Sequence, residues 1–105
     1  MPFEDRQKAF EDKYAHDTEL QFKVGARRNK LLGLWAAEQM GMHGDAAAQY
    51  ARSVVESDFE QAGDEDVFRK VAGDLKAKKV DVSDHRLRKR MEELLQEARK
   101  QLMNE

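Results

Sequence analysis

A chain of 105 residues with no cysteine fits one domain, and it excludes disulfides and thiolate metal sites. Nineteen Lys and Arg nearly balance twenty-one Asp and Glu, for a net charge of −2, which speaks against a nucleic-acid binder with a dominant positive face. The longest apolar run, Leu31 to Ala37, is far short of the roughly 20 residues that cross a membrane, and the start MPFEDRQKAF has no apolar stretch to serve as a secretory signal; the expected location is the cytoplasm.

The charge lies in blocks. Residues 1–19, 20–44, 45–66 and 67–105 carry −3, +3, −6 and +4. Alternation of this kind predicts neighbouring helices of complementary charge.

The first segment, Met1 to Asp17, is amphipathic but thin. Phe3, Phe10 and Tyr14 stand at i, i+7 and i+11, close to one helical face. An isolated helix of this length is marginal in water. The expectation is a segment that is mobile in the free protein and helical when its stripe is covered, or one that packs permanently on the body.

Leu20 to Met42 is the longest stretch with a single helical reading. Leu20, Val24, Leu31, Leu34 and Trp35 form its apolar stripe. Thr18 with Gln21 predicts a capping box at its start, and Gly41 and Gly44 its end. Asp45 predicts the N-cap of a second helix with Ala47, Tyr50, Ala51, Val54 and Val55 on its inner face, extended by Phe59 and Ala62 and ended by Gly63. Asp64 opens a third, with Glu65 and Asp66 in its first turn and Val67, Phe68, Val71, Ala72 and Leu75 inside. Val80-Asp81-Val82 reads as an extended link anchored by its valines. Ser83 caps the last helix, whose Leu87, Met91, Leu94, Leu95, Ala98 and Leu102 give the cleanest period in the chain. The predicted fold is all-α: a four-helix bundle over residues 18–105 with short connections, and residues 1–17 as a mobile or helical extension.

No constellation for catalysis is present. Ser53, Ser57 and Ser83 have no motif around them, and His16, His43 and His85 form no i, i+4 zinc pair. Asp64-Asp66 and Asp81-Ser83-His85 begin like calcium loops, but Phe68 and Arg86 break the pattern. The chain therefore reads as a non-enzyme without a metal site. Two features stand out. His85 to Arg90 crowds Arg86, Arg88, Lys89 and Arg90 into the start of a helix, where the dipole disfavours cations. They either pair with the acidic block Asp45 to Asp66 or form an anion site. The second feature is Arg27, Arg28 and Lys30 beside Trp35, the only tryptophan. Trp35 is either a core residue or a platform on which a purine stacks.

RRNKLLGLWAAEQMG, preceded by FEDKYAHDTELQFK and followed near the end by HRLRKRM, resembles the alphaproteobacterial ATP synthase inhibitor family, the zeta subunits. The resemblance covers nearly the whole chain. It implies a four-helix bundle that is not itself an enzyme, binds the catalytic head of the membrane-bound ATP synthase and blocks ATP hydrolysis. It implies further that the N-terminal segment is the inhibitory part, with Phe3, Arg6, Phe10, Lys13, Tyr14 and His16 as the candidate contacts. It also implies that ADP or ATP binds as a regulatory ligand, not as a required cofactor. The candidate nucleotide residues are Arg27, Arg28, Lys30, Trp35, Arg86 and Arg90. The expected protein is a monomer when free, peripheral to the membrane through its partner, with no affinity for nucleic acid. An alternative is a nucleotide-responsive module acting on the same or another partner.

Overall fold

The computed structural model describes the backbone of residues 3–60 and 64–104, and the side chains of residues 19–58 and 64–104. Within these residues the chain is all-α. It forms α1 (Phe3–Gln39), α2 (Gly44–Glu60), α3 (Asp64–Ala77) and α4 (Asp84–Met103). The short connections make sequential neighbours antiparallel. The molecule is elongated, 63 × 25 × 23 Å.

The elongation comes from α1, which holds 37 residues where the next longest helix holds 20. It passes through Thr18 without interruption, so the predicted capping box is not used. A cap requires the chain to leave the helix, and nothing from Phe3 to Val24 breaks one: the stretch has no Gly or Pro and is rich in Ala, Glu, Lys and Gln, strong helix formers. At about 1.5 Å per residue α1 is about 55 Å long, against about 30 Å for α4. Its first half therefore overhangs the bundle as an arm.

The helix ends follow from local chemistry. At the end of α1, Gly41 takes φ +79°. Its N–H donates to Glu38 O at 3.1 Å, and the Met42 N–H donates to Ala37 O at 2.8 Å. This paired closure needs a left-handed residue, which glycine supplies without strain. α2 starts at Gly44, one residue before the predicted cap, with Asp45 in its first turn. α3 closes in the same manner as α1, through Lys79 N–H to Lys76 O and Val80 N–H to Leu75 O, both 2.9 Å, but the left-handed residue is Lys79, φ +58°. Val80 and Val82 then pack on the core as the sequence predicts. Ser83 caps α4, accepting the Arg86 N–H at 3.1 Å.

The core is built from Leu32, Ala36, Val54, Val67, Phe68, Val71, Leu75, Leu87, Met91 and Leu94. The inner faces of α3 and α4 match their sequence periods. That of α1 does not. Its buried positions are Val24, Arg28, Asn29, Leu32, Gly33, Ala36 and Ala37, while Leu31, Leu34 and Trp35 are half-buried on the flanks. The reason is the α1–α2 seam. A Cβ placed on Gly33 would lie 2.5 Å from Ala51 Cα and 3.0 Å from its Cβ. Small residues face α2 so that two backbones can approach, and large ones line the clefts on either side.

Away from the seam, the Tyr50 hydroxyl donates to Asp74 Oδ2 at 2.8 Å, and Lys70 pairs with the same oxygen at 3.1 Å. Burial, together with the Asp74 carboxylate, pushes the Tyr50 hydroxyl well above the usual tyrosine range. A raised pKa stabilises the fold fully below the unfolded value of 10.0 and loses that contribution as pH climbs past it.

Gly33→Ala should destabilise by about 1–3 kcal/mol, the usual cost of overpacking a tight contact, and lower the thermal midpoint measured by circular dichroism. An unchanged midpoint would mean that the two backbones are not in contact. Tyr50→Phe should flatten the loss of stability above about pH 10 relative to wild type, read from urea unfolding at pH 8 and pH 11; equal losses in both proteins would place the Tyr50 hydroxyl in water.

Candidate functional site

Where the arm leaves the bundle, three successive side chains of α1 tie it to the three other helices. One residue turns a helix by about 100°, so neighbours fan outward. Arg27 Nη1 donates to Gln101 Oε1 on α4 at 2.8 Å. Arg28 Nη2 meets Asp64 Oδ1 at the start of α3, also at 2.8 Å. Asn29 Nδ2 donates to Asp58 Oδ2 on α2 at 3.1 Å. Arg28 also donates through Nε to Asn29 Oδ1 at 2.8 Å. Arg28 is only 4% exposed and Asn29 is fully buried. Buried polar groups require partners of this kind, and here each has them. The result is a polar collar at the base of the arm.

The basic group on α4 divides in two. Arg88 forms a two-bonded pair with Glu65 at 2.8 and 3.1 Å and stacks over Phe68 at 3.9 Å from the ring centroid. The Arg88 hydrogen bond holds the Glu65 carboxyl below the usual glutamate range. Complementary charge between blocks is thus realised at Arg28–Asp64 and Arg88–Glu65.

Arg86, Lys89 and Arg90 instead line a groove of about 600 Å³ with Trp35, His85 and Glu93. The Arg90 guanidinium lies 5.8 Å from the Trp35 ring centroid. Its Nε is buried without a hydrogen-bond partner, and its Nη1 is 3.6 Å from Glu93. Of the six predicted nucleotide residues, this groove gathers Trp35, Arg86 and Arg90. It does not gather Arg27, Arg28 or Lys30. Arg27 faces Gln101, Arg28 is taken up by Asp64, and Lys30 borders a shallow groove with Phe22 and Leu102. Trp35 and Arg28 share a helical face, but seven residues separate them by about 10 Å along the axis, which places them at different levels of the bundle.

Missed in the sequence was the collar. Its signal was there: Asn29 falls on the period of Leu32, Gly33, Ala36 and Ala37, where a polar residue must be satisfied internally. The candidate contacts of the arm, Phe3, Arg6, Phe10, Lys13, Tyr14 and His16, have side chains outside the described residues. Among the described residues no group of acidic or histidine side chains could hold a metal ion, and no helix is long and apolar enough to cross a membrane.

An all-α bundle with one helix held by a polar collar and carried well beyond the core defines the class: a helical-bundle protein bearing an arm. The chain belongs to the ATPase inhibitor subunit zeta family, whose family model matches residues 1–101. A solved structure, described as the solution NMR structure of the protein, is similar at 52% identity and a TM-score of 0.72, over 81% of this chain and 96% of that one. No curated relative matches the chain.

Replacing Asn29 by Ala removes the acceptor of buried Arg28 Nε and the donor to Asp58. The expected cost is about 1–3 kcal/mol, that of leaving a buried polar group unpaired. Chemical denaturation checks it; a loss no larger than that of an exposed Asn→Ala change would mean that water reaches the collar.

Proposed function

We propose that this chain restrains the ATP synthase by lodging the arm of α1 between catalytic subunits of the head, on the cytoplasmic side, and so blocks ATP hydrolysis. Family membership supports an inhibitory regulator as the general role. The observation that supports insertion is the overhang: α1 is one helix of 37 residues, roughly twice as long as its neighbours. Phe3, Phe10 and Tyr14 on one face of that arm are its anchors, because interface energy concentrates in aromatic side chains. Arg6, Lys13 and His16 are the polar contacts that this reading assigns to the partner. A segment that folds only on binding gives up about 2–5 kcal/mol of its gross interaction energy. A helix already formed to Phe3 reduces that cost. Steric obstruction of closing subunits needs no chemistry from the chain itself. The bundle stays outside the cleft and sets how far the arm can enter.

Deleting Met1 to Asp17 should abolish inhibition of ATP hydrolysis by the purified enzyme and leave residues 18–105 folded by circular dichroism. Full inhibition by the truncated chain would sink the insertion reading.

A second reading, regulation by adenine nucleotide, draws its support from the lining of the Trp35 groove. The Trp35 groove combines an aromatic face with three cations, Arg86, Lys89 and Arg90, against one carboxylate, Glu93. A purine on Trp35 with phosphates toward the α4 cations is the arrangement such a set accommodates. Any effect on the arm is limited by the difference in nucleotide affinity between its states. Trp35 is the sole tryptophan, so ADP binding should change its fluorescence, and Arg90→Ala should raise the Kd read from that titration about tenfold, as expected for loss of a charge-assisted contact. A flat titration to millimolar ADP would remove this reading.

A further inference from the structure

A second groove lies at the base of the arm, between α1 and α4. Its volume is about 480 Å³. Leu20, Val24, Leu95 and Met103 line it with apolar side chains, and Gln21, Gly25 and Arg99 complete that part of the lining. Arg28 and Asp64 close one end and neutralise each other. Arg99 makes no hydrogen bond or ion pair among the described residues, so the groove has a surplus positive charge. Met103 is 77% exposed. It and Phe22, 60% exposed, are the exposed large apolar side chains among the described residues, and both belong to this end of the bundle.

Gly25 has no structural cause. Gly33 is demanded by Ala51, and Gly41 and Gly44 by positive φ, but a Cβ at Gly25 would meet nothing within 4 Å. A glycine inside a helix sacrifices about 0.5–1 kcal/mol relative to alanine. At Gly25 that sacrifice leaves empty space in the lining of a groove. Gly73 is equally open but lines none of the grooves described for this molecule, which makes it a control.

Register supplies the link to the arm. In the continuous α1, positions 3, 10, 14, 21, 25 and 28 follow at steps of 7, 4, 7, 4 and 3. Such steps stay on one face of a helix. The aromatic positions of the arm and the groove-lining positions 21, 25 and 28 are therefore in line. A surface that covers the first runs directly onto the second.

We propose that this groove is a second docking site for the ATP synthase, taking from it a segment with an apolar side chain next to a carboxylate. The apolar side chain lies over Gly25 between Leu20, Val24, Leu95 and Met103, and the carboxylate pairs with Arg99. This site rests on the reading that the arm inserts into the head, and it extends that contact onto the bundle.

The test uses full-length protein, the purified catalytic portion of the ATP synthase, and binding and hydrolysis measured together. Gly25→Met fills the groove and Arg99→Glu reverses its charge; each should weaken binding about tenfold, as expected for loss of an anchor contact, with no fall in thermal midpoint. Gly25→Ala and Gly73→Ala add helix propensity without filling the groove and should bind as wild type does. If wild type neither binds nor inhibits, the insertion reading itself fails. If wild type inhibits and Gly25→Met and Arg99→Glu bind equally well, the groove alone is refuted. If those two variants instead abolish a concentration-dependent dimer in sedimentation, the occupant is a second copy of the chain and the proposal is overturned.

Discussion

The rest of this structure depends on two helix backbones meeting at Gly33 and Ala51. That approach leaves no room for a side chain on α1 at the contact, so the helix turns its smallest residues toward its neighbour. Everything larger is displaced sideways. Leu31 and Trp35 become flanking residues packed against the common core, not its centre. Trp35 thereby keeps one side open and comes within reach of Arg90. A conventional leucine seam between α1 and α2 would hold the helices farther apart and leave the tryptophan differently placed. Close packing of small residues gains dispersion contacts that a looser interface forfeits.

The second organising device is the run Arg27-Arg28-Asn29. Each side chain reaches a different helix, and all three bonds lie at the level where α1 leaves its neighbours. A buried cation is not a cheap way to hold helices together, because desolvation offsets much of the attraction. Its value lies in direction. Apolar contacts tolerate rotation of a helix about its axis, whereas three bonds on three sides do not. The arm is thus fixed in rotation at its root.

Much of the fold was legible in the sequence because several signals agreed. Ser83 followed by Leu87, Met91, Leu94 and Ala98 combines a cap with a clean period. Asp64 to Asp66 before Val67, Phe68, Val71 and Leu75 does the same for α3. α1 was harder for a definite reason. Reading burial from side-chain size favours Leu34 and Trp35 over Gly33, Ala36 and Ala37, yet the closest contact selects the small residues. Thr18 misled because a capping signal counts only where the preceding chain cannot continue the helix. Of the six nucleotide candidates, Trp35, Arg86 and Arg90 line one groove, and Arg27, Arg28 and Lys30 do not. The other three depend on which neighbour lies beyond each 100° step, and that is a property of the assembled bundle. The pairing of Arg88 with Glu65 follows from block charge, while the choice of Arg88 over Arg86 or Lys89 does not.

An unbroken helix between arm and body has a geometric consequence. Each residue of α1 adds about 1.5 Å of reach and about 100° of azimuth at once, like the thread of a screw. Depth of entry and the direction in which the body faces cannot then be adjusted separately. With the root clamped by the collar and the thread running uncut from Phe3 to Gln39, whatever grips the tip also sets the compass bearing of the bundle outside.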